Sequence, residues 1–150
     1  MRTSSGNLLP PLPSVVLDAG VIVGAALRRG SIPDRALEVG LASCRLVLSV
    51  AVEAELRDVP SRPEFSRALA PGRGQTPLDL LALTALRVEP AERVHECRDP
   101  DGDKYLELAF AASADVIASG DRDLLALDPW RGVRILSPAA FVALWDDSAP

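Results

Sequence analysis

Short apolar runs recur along the chain, separated by stretches with helical spacing. Val15-Val16-Leu17 is β-branched and ends at Asp18, with Gly20 just behind it, which reads as a buried strand entering a loop. Ser31-Ile32-Pro33 predicts the cap of a helix running to about Ala42, with Ala36, Leu37, Val39 and Leu41 on its apolar face. Leu46-Val47-Leu48-Ser49 repeats the strand pattern, and Val52, Leu56 and Val59 place a helix after it. Two further helices are expected over Ser61–Leu69 and Thr76–Leu86, opened by Pro63 and Pro77 and joined by a loop at Pro71-Gly72-Arg73-Gly74. A helix from Asp103 to about Ala112 and a strand at Val116–Ala118 follow. The pattern closes with a helical turn at Leu124–Leu127, a strand at Val133–Leu136 and a helix opened by Ser137-Pro138.

Strands that are short, apolar on both faces and separated by helices predict an α/β fold with a mainly parallel sheet covered on each side. There is no internal repeat, and 150 residues with 48% hydrophobic content suit one domain. Residues 15–150 are expected to form it. Met1–Ser14, polar at its start and carrying three prolines, reads as a flexible tail.

Composition narrows the chemistry. Cys44 and Cys97 are too few for a disulfide framework, and with one histidine they cannot complete a structural zinc site, so His95-Glu96-Cys97 reads as ordinary structure. The longest apolar stretch, Val15–Leu27, contains Asp18 and falls short of the ~20 residues that span a bilayer. With no apolar segment in Met1–Ser14 to serve as a signal, a cytoplasmic location is expected. The net charge of -5 argues against a broad basic face for nucleic acid, so any such attraction must be local. Lys104 is the only lysine; the other basic residues are arginines, the better fork for a few directed phosphate contacts.

In parallel sheets ligands bind beyond the carboxyl ends of the strands. Asp18 and Asp121 stand at two such ends, and Glu55 lies early in the helix after a third. Clustered carboxylates repel unless a cation is present, and Mg²⁺ or Mn²⁺ suits an all-oxygen site. Each acid also has a structural reading. Asp121 and Asp123 fit the cap of the helix after Gly120, Asp101 or Asp103 the cap of the helix before Leu106, and Glu55 a solvated helix position. Asp99-Pro100-Asp101-Gly102-Asp103 is not an EF-hand loop, because its glycine is fourth rather than sixth and Phe110 stands where the bidentate glutamate belongs. Asp18-Ala19-Gly20 lacks the lysine and glycines of a phosphate loop. Asp121-Arg122-Asp123 leaves open a D-x-D phosphoryl-transfer domain of unrelated fold.

From about Val15 to Trp145 the chain resembles the PIN-domain proteins, particularly the virulence-associated-protein-C-like toxins of toxin–antitoxin pairs. The resemblance is carried, in order, by VVLDAGVIVGAAL, LVLSVAVEAELRDVPSRPEF, CRDPDGDKYLELAFAASADVIASGDRDLLAL and VRILSPAAF. It implies a three-layer α/β/α sandwich and a Mg²⁺- or Mn²⁺-dependent endoribonuclease. The family's acids match Asp18, Glu55, Asp103 and Asp121 as catalytic residues and metal ligands, with Asp123 as an accessory ligand and the Ser119 hydroxyl near the metal. Glu53 competes with Glu55 for the second position.

RNA as substrate, an antitoxin protein as partner and a homodimer are further expectations from the resemblance, and no organic cofactor is implied. Arg28, Arg29, Arg57 and Arg122 are candidates for positioning RNA. The chain departs from the family where Ala19-Gly20 replaces the usual Thr-Asn, so Gly20 cannot supply the asparagine side chain. A non-catalytic PIN-like module that binds RNA or protein is therefore the alternative reading.

Overall fold

The computed structural model describes residues 11–58 and 76–148. The helix expected over Ser61–Leu69, the loop at 71–74 and most of the expected tail lie outside them. Within them the order is β1 (Ser14–Leu17), α1 (Ala19–Leu27), α2 (Ile32–Ser43), β2 (Arg45–Leu48), α3 (Val50–Asp58), α4 (Pro77–Thr84), β3 (Leu86–Arg87), a 3₁₀ turn (Pro100–Gly102), α5 (Asp103–Ala111), β4 (Val116–Ala118), α6 (Arg122–Leu125), β5 (Arg134–Leu136) and α7 (Pro138–Ser148). Ser14, assigned to the tail from sequence, opens β1, and its N–H donates to Asp115 Oδ2 at 2.9 Å.

The strands form one parallel sheet in the order β3-β2-β1-β4-β5. Successive strand residues point to opposite faces, so the burial of Val15, Val16 and Leu17 together means that both faces are covered. Helices supply that cover: α1 packs on α2, α3 and α4, α2 on α7, and α5 on β1 and β4. The result is the expected α/β sandwich. The chain steps outward from β1 through β2 to β3, then returns to β4 on the other side of β1. That reversal leaves a crevice beyond the carboxyl ends of β1 and β4, where parallel sheets place their ligands.

The caps of the layer helices follow local rules. The Ser31 hydroxyl accepts the Asp34 N–H at 3.3 Å, and Pro33 stands in the first turn of α2. Thr76 and Asp79 cap α4 reciprocally, each side chain accepting the other's backbone N–H at 3.1 Å.

Two elements differ from the expectation. Residues 19–27 are a helix, not a loop: Ala19, Val21, Ile22 and Ala25 are buried, so an element covered on most sides shows little apolar periodicity. The helix expected to reach Leu86 stops at Thr84, because Leu86 and Arg87 pair with Val47 and Leu48 as an edge strand. Among the described residues no helix is long and apolar enough to cross a membrane.

Candidate active site

The ends of β1 and β4 are joined by backbone, the Asp18 N–H donating to Ala118 O at 3.0 Å. Asp18 sits at the N-terminus of α1, where Oδ1 accepts the Gly20 N–H at 3.1 Å. Its Oδ2 accepts the Ser119 hydroxyl at 2.5 Å. Ser119, fully buried, accepts the Asp121 N–H at 2.9 Å, and Asp121 Oδ1 caps α6 by accepting the Asp123 N–H at 2.9 Å. For Asp18 and Asp121 the capping role and the site position therefore coexist. Capping fixes each carboxylate at the mouth of the crevice.

Glu55 and Glu53 are separated by α3 itself, since residues two apart lie about 200° apart around a helix. Glu53 is neutralised by arginines: both its oxygens accept from Arg87, and Oε2 also accepts from Arg57 at 2.6 Å. Those hydrogen bonds, from Arg87 first, hold its carboxyl down at about 2. Glu55 turns instead toward α5. Its Oε1 accepts the Tyr105 hydroxyl at 2.5 Å and the Lys104 ammonium at 3.2 Å. The Tyr105 oxygen, itself buried, accepts the Ala19 N–H at 3.1 Å and so links the first residue of α1 to Glu55.

Asp103 is buried and opens α5 without capping it. Its Oδ1 accepts the Cys97 N–H at 2.8 Å and the Glu96 N–H at 3.1 Å, so it clamps the preceding segment. Gly102 permits that approach: a Cβ there would lie 2.5 Å from Cys97 Sγ. The side-chain cap expected of Asp101 or Asp103 on this helix is not made: its N-cap is Gly102, and Asp99 caps the preceding 3₁₀ turn instead, accepting the Asp101 N–H at 3.0 Å. His95 is exposed, and Glu96 binds Trp130 Nε1 and Arg131, so neither enters the crevice.

Electrostatics reports which acids share space. Burial raises the Asp18 carboxyl pKa; the Ser119 and Gly20 hydrogen bonds oppose the rise, and the charges of Glu55 and Asp121 add to it. Tyr105 is raised by burial first, then by the charge of Asp18 and its bond to Glu55. Burial also raises the Cys97 thiol, with the charges of Asp121, Asp103 and Asp123 in the same direction. Asp18 therefore feels the charges of both Glu55 and Asp121, and the Cys97 thiol those of Asp121, Asp103 and Asp123.

The donor chemistry, carboxylates with a serine hydroxyl and no nitrogen or sulfur ligand required, fits a hard divalent cation. As the side chains stand, no group of three or more His, Cys, Asp or Glu among the described residues is close enough to hold an ion. Lys104 forms an ion pair with Glu55. Of the candidate arginines, Arg57 is engaged by Glu53, while Arg28, Arg29 and Arg122 are exposed. At position 20 the chain offers only the glycine N–H.

Lys104 and Tyr105 are not among the site residues that the sequence suggests. One signal was available: they are the chain's only lysine and only tyrosine, adjacent in sequence, and a buried tyrosine hydroxyl needs partners.

No curated protein matches the chain. The family model of the PIN domain matches residues 14–123, a span that runs from β1 to Asp123 and contains all the acids described above. That match takes in well over half of the 150 residues, and the chain belongs to the PIN domain family.

Proposed function

We propose that this PIN domain is a Mg²⁺- or Mn²⁺-dependent endoribonuclease and the toxin of a toxin–antitoxin pair in the cytoplasm. PIN domains are typically metal-dependent nucleases, so a nuclease-type function follows from the family in general terms. The observation that supports the reading at these residues is the hydrogen-bonded link beyond the carboxyl ends of β1 and β4, where Ser119 ties Asp18 to the Asp121 backbone and Tyr105 ties Glu55 to Ala19, the residue after Asp18. Asp18, Glu55 and Asp121 would hold the ion, with Asp103 and Asp123 beside them. A divalent cation bound there supplies Lewis acidity and offsets the charge of the scissile phosphodiester.

The chain's own groups do the positioning. Ser119 orients Asp18 and the Asp121 backbone together, and Tyr105 fixes Glu55 against the start of α1. The antitoxin is expected to answer the acidic crevice with a basic side chain, since an arginine fork can offset clustered carboxylates. A homodimer is expected as well.

Chelator-treated protein given Mn²⁺ and a mixed-sequence RNA tests the reading, with DNA of the same sequence as control. Metal-dependent cleavage of RNA alone is expected; equal cleavage of DNA would remove the ribonuclease assignment. The second reading, a module that binds RNA without turnover, draws on Gly20, which supplies no side chain to the crevice. RNA binding with no Mn²⁺-dependent cleavage would favour it.

A further inference from the structure

Lys104 stands apart from the other basic residues. It is the only lysine among 16 basic side chains. Its ammonium lies in the carboxylate crevice, 3.2 Å from Glu55 Oε1 and 2.9 Å from the carbonyl oxygen of Asp101. The stem lies beside the Tyr105 ring, with Nζ 5.6 Å from the ring centroid, and the side chain is only 22% exposed. An ammonium is a compact point charge that gathers oxygen ligands, whereas a guanidinium is a broad planar fork. Here its acceptors are a carboxylate and a backbone carbonyl, the ligand types a hard divalent cation takes.

From this juxtaposition we infer that Lys104 is a resident counter-ion of the crevice, competing with the divalent cation for Glu55. The inference rests on the metal-site reading given above. Three features support competition rather than assistance. The ammonium and the tyrosine hydroxyl occupy the same oxygen of Glu55, so that oxygen is withdrawn from a third ligand. With the ammonium on Glu55, no three acids among the described residues stand close enough together to hold an ion. A like charge beside the ligand also opposes the arrival of a cation. The four-carbon stem lets the ammonium leave Glu55 without displacing α5, whose Tyr105 keeps its own bond. Such a counter-ion keeps the clustered acids tolerable without metal and makes occupancy depend on the concentration of the ion.

The test measures Mn²⁺ binding to full-length, chelator-treated protein through the electron paramagnetic resonance signal of the free ion, with no RNA present. Lys104→Met keeps the stem and removes the charge; it should tighten Mn²⁺ binding about tenfold, equivalent to about 1.4 kcal/mol. Lys104→Gln serves as a second neutral variant should the methionine disturb folding, and Lys104→Arg, which keeps a charge, should stay close to wild type. Arg45→Met is the control for net charge, because Arg45 is exposed at the start of β2, at the other end of the sheet. Unchanged or weaker binding in both neutral variants, or equal tightening in Arg45→Met, would overturn the inference while leaving the metal site standing. Absence of Mn²⁺ binding in wild type and variants alike would overturn both.

Discussion

The Ser119 hydroxyl donates to Asp18 Oδ2 at 2.5 Å from a side chain with no exposed surface. Because the same oxygen accepts the Asp121 N–H, one buried serine sets the relative position of two carboxylates contributed by different strands. Ser119→Ala leaves that N–H and one Asp18 oxygen without their partner. It should cost about 1–3 kcal/mol of stability, the desolvation penalty of buried polar groups left unpaired. Urea melts in EDTA check this, and a threonine, which retains the hydroxyl, should recover part of the loss.

Glu53 and Glu55 make opposite predictions from the same helix. Glu53 is paired with Arg87 and Arg57, so Glu53→Gln should lower the melting midpoint and leave nuclease activity in place. Its folded pKa is depressed from 4.5 to about 2. The stability it adds is therefore full above 4.5 and is lost as pH falls toward 2. The wild-type midpoint should decline over that window, and the glutamine variant should decline less. Glu55→Gln should instead abolish cleavage with little change in the EDTA melt at neutral pH. Loss of activity in the Glu53 variant alone would reverse the assignment.

What the sequence showed of this molecule depended on how far each signal was local. The runs at Val15, Leu46 and Val116 were legible because strands buried on both faces are continuously apolar, and the edge strand at Val133 because its β-branched residues alternate with the exposed Arg134. Helix α1 was not, because Val15–Leu27 is apolar almost throughout and the period that separates strand from helix is missing. Strand β3 is two exposed residues held by pairing with β2, a contact with no local signature. Among the acids, spacing and strand ends located Asp18 and Asp121. The difference between Glu53 and Glu55 has no local signature, because the partner that occupies Glu53 is Arg87, 34 residues away. The clamp made by Asp103 was illegible for the same reason, since its partners are backbone amides.

That clamp changes what substitutions at Asp103 should do. Asp103 Oδ1 accepts two backbone N–H groups, and asparagine presents an oxygen that can accept them too. Asp103→Asn should therefore fold with a modest loss of stability, while Asp103→Ala, which orphans both amides, should lose about 1–3 kcal/mol. If Asp103 also serves as a metal ligand, as the family resemblance implies, the asparagine variant should be folded but inactive. Chemical denaturation paired with RNA cleavage separates the two roles: a folded and fully active Asp103→Asn leaves only the clamp.

Asp18 is the carboxylate to which Glu55 and Asp121 are coupled by charge and Ser119 by a hydrogen bond, and one comparison tests its role most directly. It is the initial rate of Mn²⁺-dependent cleavage of a mixed-sequence RNA by wild type and by Asp18→Asn, at neutral pH, with the melting midpoint of each recorded in EDTA. Asparagine caps a helix about as well as aspartate. Burial and the neighbouring charges raise the Asp18 pKa, so ionising it at neutral pH costs stability in the folded state, and that cost disappears as pH falls through the folded pKa. Relief of that cost offsets the one acceptor that the asparagine amide nitrogen takes from Ser119 or Gly20, so the variant should melt close to wild type while its rate falls by more than about a hundredfold, beyond what losing a supporting group costs. A variant that cleaves RNA within a few-fold of the wild-type rate would contradict the account at its centre.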